Sequence, residues 1–194
     1  MSYAHVNGHR PMIFDDQRNS LYAKAINKYV NKDSVVLDLG AGLGLHGLLA
    51  AKAGARKIYL VEPEINQDLI NRIAAKHKLQ DNIQYLPGRI QEISLPEPVD
   101  IIISVFTGNF FLEEDLMPTL FYARNKYLKP EGVMIPDFAR MEIAPVCMPD
   151  YFEKNIALWS NLSQQISFEL VRGYAANNIY YDDFYGKEQT YLSE

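Results

Sequence analysis

Residues 35–44 read Val35-Val36-Leu37-Asp38-Leu39-Gly40-Ala41-Gly42-Leu43-Gly44, and after an apolar, helix-like run comes Lys57-Ile58-Tyr59-Leu60-Val61-Glu62. An apolar strand that breaks into glycines where a helix must start, with a carboxylate closing the next strand, is the pattern of a nucleotide-binding crevice. Gly40, Gly42 and Gly44 allow a sharp turn and a close approach to a ligand that a Cβ would obstruct.

The acids on either side of this loop narrow the ligand. Glu62, at the end of its strand, can accept hydrogen bonds from both hydroxyls of a ribose. Asp38 places a negative charge just ahead of the loop, which suits an ammonium or sulfonium better than a pyrophosphate and points to S-adenosylmethionine. The spelling also fits Gly42-Leu43-Gly44-Leu45-His46-Gly47 to the G-x-G-x-x-G of dinucleotide enzymes, with Glu62 about 20 residues on, so that reading stays open. So does a plain strand-to-helix turn.

Strands and helices alternate around the loop. Apolar positions Tyr22, Ala25, Ile26, Tyr29 and Val30 predict an amphipathic helix over 15–30, with an acidic start at Asp15-Asp16. Strands are predicted at 35–39, 57–62, 82–86, 99–105 and 132–135, and helices at 43–53, 64–78 and 113–128. That order implies an α/β fold with a parallel sheet and a ligand crevice at the carboxyl ends of the strands. Pro63 suits the start of a helix, and Lys129-Pro130-Glu131-Gly132 reads as a turn. Past Pro136 the pattern weakens: 139–146 is strand-like, 151–162 is helix-like around Trp159, and the tyrosine-rich tail from Gly173 reads as an extended cover, part of a second module or an oligomer contact.

Charge and cysteine usage exclude several classes. The net charge of −5 gives no sign of general nucleic-acid affinity. No window approaches the roughly 20 apolar residues of a membrane span, and 1–14 lacks the apolar block of a secretory signal. Cys147 is the only cysteine, so an intramolecular disulfide and a thiolate zinc site are both excluded, and a reducing cytoplasm is the expected compartment. His5, His9, His46 and His77 lack the spacing of a metal site.

Four segments in order resemble the protein arginine N-methyltransferases, which use S-adenosylmethionine. They are Ser2-Tyr3-Ala4-His5 through Met12 to Arg18, Val36 to Gly54 with its Ala50-Ala51-Lys52-Ala53-Gly54 ending, Val99 to Ser104, and Tyr122-Ala123-Arg124 through Pro130, Gly132, Pro136 and Asp137. The resemblance implies a Rossmann-like class I methyltransferase sheet with helices on both faces. It also implies a cofactor-covering segment and helix over 1–30, an S-adenosylmethionine-binding domain over 31–137, and an extension over 138–194 resembling the start of a β-barrel or a dimer contact.

By the same resemblance, Arg18 pairs with the cofactor's carboxylate and His9 contacts the same ligand. Gly40 and Gly42 line the methionine part, Asp38 faces the ammonium through water, Glu62 holds the ribose, and Ile90 and Gln91 sit near the adenine. The implied partner is a protein or small-molecule methyl acceptor, with a homodimer as the implied assembly. The family grips arginine between two glutamates after the fourth strand; here the first position is Val105 and the second is Glu114, the expected catalytic residue. A guanidinium is charged at any working pH, so two flanking acids localise its charge and steer one nitrogen at the methyl group. With one acid missing, a small amine or guanidine acceptor and a catalytically silent assembly subunit remain alternatives.

Overall fold

The computed structural model describes residues 5–65, 67–106, 115–160, 166–178 and 180, together with the backbone of 190–191. The chain divides into two compact units, Met1–Ala139 and Arg140–Glu194.

The first unit runs α1 (Val6–Ile13), α2 (Asp16–Tyr29), β1 (Val35–Leu39), α3 (Leu45–Lys52), β2 (Lys57–Glu62), α4 (Gln67–Lys76), β3 (Ile83–Pro87), β4 (Val99–Ser104), α5 (Met117–Tyr127) and β5 (Leu128–Ile135). The strands form a parallel sheet in the order β3-β2-β1-β4-β5. β1 therefore lies between β2 and β4, and the order reverses at its carboxyl end, where open α/β sheets bind ligands.

Side-chain alternation explains why β1 is apolar at every position but Asp38. Val36, Ile58, Leu60, Ile101 and Ile103 enter one core with Ile26, Ala50 and Ile70 of α2, α3 and α4. Val35, Leu37, Tyr59, Val61 and Ile102 enter another with Leu120, Ala123 and Tyr127 of α5. Helices thus cover both faces, and strands buried on both sides cannot show a polar stripe. Gly47 fits α3 tightly onto β2, since a Cβ there would fall 2.1 Å from Leu60 Cδ2.

Several boundaries differ from the sequence expectation. α1 was not anticipated, because Gly8 and Pro11 lie within it. α4 starts at Gln67 and not at Pro63, because the Glu62 carboxylate accepts the Glu64 N–H at 2.9 Å and organises a bend there. Residues 129–132 are a bulge inside β5: Val99 pairs with Leu128 and Ile101 with Val133. Asp100 holds that bulge, accepting from Lys129 Nζ at 2.7 Å and from Val35 N at 2.9 Å.

In the second unit, β6 (Val146–Cys147) pairs antiparallel with β7 (Thr190–Tyr191), and α6 (Pro149–Asn155), a 3-10 turn (Ala157–Ser160) and α7 (Glu169–Ala176) lie between them. Of the strand expected over 139–146 only Val146 is in a strand, because residues 139–145 have no paired neighbour among the described residues. Gly173 and Tyr174 belong to α7, and most of the tyrosine-rich tail beyond them lies outside the described residues. This two-residue strand pair is the β-structure among the described residues of the unit, and much of the extension expected to resemble the start of a barrel lies outside them. No helix of the described residues is long and apolar enough to cross a membrane.

Candidate functional site

A cavity of about 680 Å³ opens at the carboxyl ends of β1, β2 and β4 in the first unit. Its volume lies within the range of roughly 300–1,000 Å³ typical of small-molecule and cofactor pockets. His9, Arg18, Gly40, Gly42, Glu62, Ile90 and Gln91 all line it. Val105 and Phe106 line it too, at the end of β4. Glu114 lies outside the described residues, while its neighbour Asp115 lines the cavity in a left-handed conformation (φ 50°).

The glycine loop is held from two sides. Gly40 N and Ala41 N donate to Val61 O at 2.9 and 3.0 Å, which fastens the end of β1 to β2. Glu62, 6% exposed, accepts from Gly42 N through Oε2 and from Glu64 N through Oε1, each at 2.9 Å. Each carboxylate oxygen has a second lone pair, so these bonds leave room for further donors. Gly40 and Gly42 adopt φ of 69° and 53°. A Cβ on Gly40 would lie 2.3 Å from the Phe106 ring, and one on Gly42 would lie 2.8 Å from the His9 imidazole. The close approach these glycines permit is therefore made by the chain's own rings as well as being open to a ligand.

Asp38 stands apart from the other expected residues. It is 1% exposed, is not among the residues lining the cavity, and accepts Gly47 N through Oδ2 at 2.7 Å. Burial pushes its carboxyl up to about 7 against the lowering effect of the Gly47 N–H, and the Glu62 charge adds to the rise. Its visible work is to brace the first turn of α3 from β1, and among the expected site residues that are described it alone does not line the cavity. The apolar run in which it sits explains this, because a carboxylate inside a fully buried strand must find a donor nearby.

α2 supplies a basic wall. Asp15 Oδ1 caps the helix by accepting Arg18 N at 2.9 Å. The Arg18 guanidinium donates from Nη2 to the Met12 carbonyl, and its Nε is buried with no hydrogen-bond partner among the described residues. Gln91 donates through Nε2 to Thr119 Oγ1 at 2.8 Å, so its amide is tethered to α5 with its carbonyl oxygen as the remaining acceptor.

Sequence reading passed over His46, which lines the cavity and is 7% exposed. Its ring lies against Tyr22, with centroids 4.4 Å apart. Burial, then the nearby Arg18 cation, lowers its pKa to about 4. Tyr22 donates to the Ser104 carbonyl at 2.8 Å, and burial raises its hydroxyl to about 12. A lone histidine in the otherwise apolar or small run Leu45 to Ala51 was the available signal. Among the described residues no group of three or more His, Cys, Asp or Glu could hold a metal ion.

Comparison with known proteins gives a consistent result. The methyltransferase domain family matches residues 36–132. Protein arginine N-methyltransferase 1.1 of Arabidopsis thaliana is 39% identical over 164 residues, covering 83% of this chain and 42% of the relative. Protein arginine N-methyltransferase 1 of Chlamydomonas reinhardtii is 36% identical, covering 83% and 48%. The chain thus spans less than half the length of these relatives. Among solved structures, the Trypanosoma brucei PRMT1 enzyme-prozyme heterotetrameric complex with AdoHcy matches with a TM-score of 0.82 at 34% identity, covering 90% of this chain and 56% of that one. Arabidopsis thaliana protein arginine methyltransferase 10 matches with a TM-score of 0.73 at 30% identity, covering 90% and 54%.

Proposed function

The chain belongs to the protein arginine N-methyltransferase family of class I methyltransferases, and on that premise we propose that it binds S-adenosylmethionine in the 680 Å³ cavity and methylates a nitrogen acceptor. The observation that carries the reading is the convergence of seven expected contact residues, drawn from α1, α2, the glycine loop, the end of β2 and the segment after β3, on one cavity.

The residues present fit the cofactor. The left-handed glycines open part of the cavity wall, Glu62 is a buried acceptor, and Arg18 carries a buried Nε that lies 3.8 Å from the Asp15 carboxylate and has no hydrogen-bond partner among the described residues. Arg18 would hold the carboxylate, Glu62 the ribose, Gly40 and Gly42 the methionine part, and Ile90 and Gln91 the adenine, with His9 beside the loop. The cofactor supplies an electrophilic methyl group on a sulfonium. The chain's part is to position the acceptor nitrogen and to draw charge away from it, chiefly by placement.

For an arginine acceptor that part falls to Glu114, and Val105 offers no carboxylate from the cavity's β4 side. Val105 therefore also supports a second reading, a cofactor-binding subunit that acts on a smaller amine or guanidine or does not itself catalyse. Isothermal titration with S-adenosylmethionine tests binding, and Glu62→Ala is expected to weaken it by about 1–3 kcal/mol. Parent protein that takes up NADH and no S-adenosylmethionine would remove the proposal. Incubation with methyl-labelled cofactor, arginine-rich peptides and small guanidines separates the acceptors; label on peptide arginine supports the first reading, and no label on any acceptor supports the silent subunit.

A further inference from the structure

Two side chains lining the cavity each carry a buried polar atom with no hydrogen-bond partner among the described residues: His46 Nε2, and Arg18 Nε, which has only the Asp15 carboxylate at an ion-pair distance of 3.8 Å. Asn19 Oδ1 is also unpartnered, but Asn19 does not line the cavity. The guanidinium and the imidazole are close enough for one charge to act on the other. Arg18 comes from α2 and His46 from the first turn of α3, so two separate elements bring these groups together.

A buried imidazole nitrogen without a partner forfeits its hydration and gains nothing in exchange. An aliphatic side chain could pack against the Tyr22 ring at that place without the penalty. The ligand group that satisfies both atoms must accept from a planar cation and from a single directional N–H, and a carboxylate does so with its several lone pairs. We propose that His46 is a ligand-binding residue that donates through Nε2 to the carboxylate Arg18 anchors, at the α-amino-acid end of the bound cofactor. The proposal rests on the S-adenosylmethionine reading and adds to it a second donor on a different helix. Burial keeps the ring neutral near pH 7, so it acts as a hydrogen-bond donor and not as a second cation.

The test compares S-adenosylmethionine with its decarboxylated form, which keeps the sulfonium, ribose and amine and lacks only the carboxylate. Titration calorimetry on the parent, His46→Leu and His46→Phe is the measurement; the phenylalanine keeps a ring against Tyr22 without the donor. Both variants are expected to bind S-adenosylmethionine about tenfold more weakly, the scale of a lost hydrogen bond to a charged group. Binding of the decarboxylated ligand should change less than about twofold. Equal losses for the two ligands would mean that His46 only packs, and no loss for either would remove it from the site. Both of those outcomes overturn His46's part alone, provided the parent binds S-adenosylmethionine. A parent that binds neither ligand overturns the cofactor reading and this inference with it.

Discussion

The two units of the chain differ in how they use apolar residues. Met1–Ala139 contains every buried residue among those described, from His9 on α1 to Ile135 on β5, whereas Arg140–Glu194 has none. In the second unit Ile143 is 94% exposed, Leu170 91% and Tyr174 81%. The first unit therefore carries its own hydrophobic stabilisation, and the second has the helices and strand pair of a fold without a described core. The cavity and the groups that shape it belong wholly to the first.

Substitutions can break that contrast. Leu60→Ala removes a fully buried side chain that holds α3 against the sheet, and is expected to cost about 2–5 kcal/mol in denaturant unfolding. A loss below 1 kcal/mol, roughly a quarter of that range's upper half, would mean the first unit's core is not what stabilises it.

Acid tests the same unit through His46. Its pKa falls from 6.5 to about 4 on folding, so its contribution to stability is intact above pH 6.5 and is lost as pH drops through about 4. Asp38 works in the other direction: with its pKa raised from 3.8 to about 7, its contribution is full below 3.8 and lost as pH rises through about 7. Relative to His46→Leu, the parent should lose up to about 3 kcal/mol between neutral pH and pH 4 in urea titrations. Parallel pH profiles for the two proteins would show that His46 is not held neutral by the fold. The smallest effect is expected from Leu170→Ala in the second unit, within about 0.5 kcal/mol of the parent. A cost matching that of Leu60→Ala would erase the distinction between the units.

Legibility in the sequence followed the same division. β1, the glycine loop, α3 and β2 were readable because a doubly buried parallel strand must be apolar and its turn must be glycine, and few other residues tolerate those demands. Seven of the candidate residues line one cavity, and they were legible because the segments that carry them keep their order. The tie from Asp38 to α3 is not legible, because sequence shows a charge but not whether a backbone N–H nine residues on will claim it. His46 was missed because its importance lies in a contact with α2 that spacing along the chain does not reveal. The strand expected over 139–146 failed for a related reason: alternation describes a strand's faces, while its existence depends on a neighbour to pair with.

The double attachment of Glu62 limits how this pocket could be retuned. One side chain ties the backbone of Gly42 to that of Glu64, so the wall after β1 and the wall after β2 share a single fastening. Exchanging that residue would release both walls at once. Selectivity at this end of the cavity can therefore drift only through substitutions around Glu62, and the shape of the opening is inherited along with the acid.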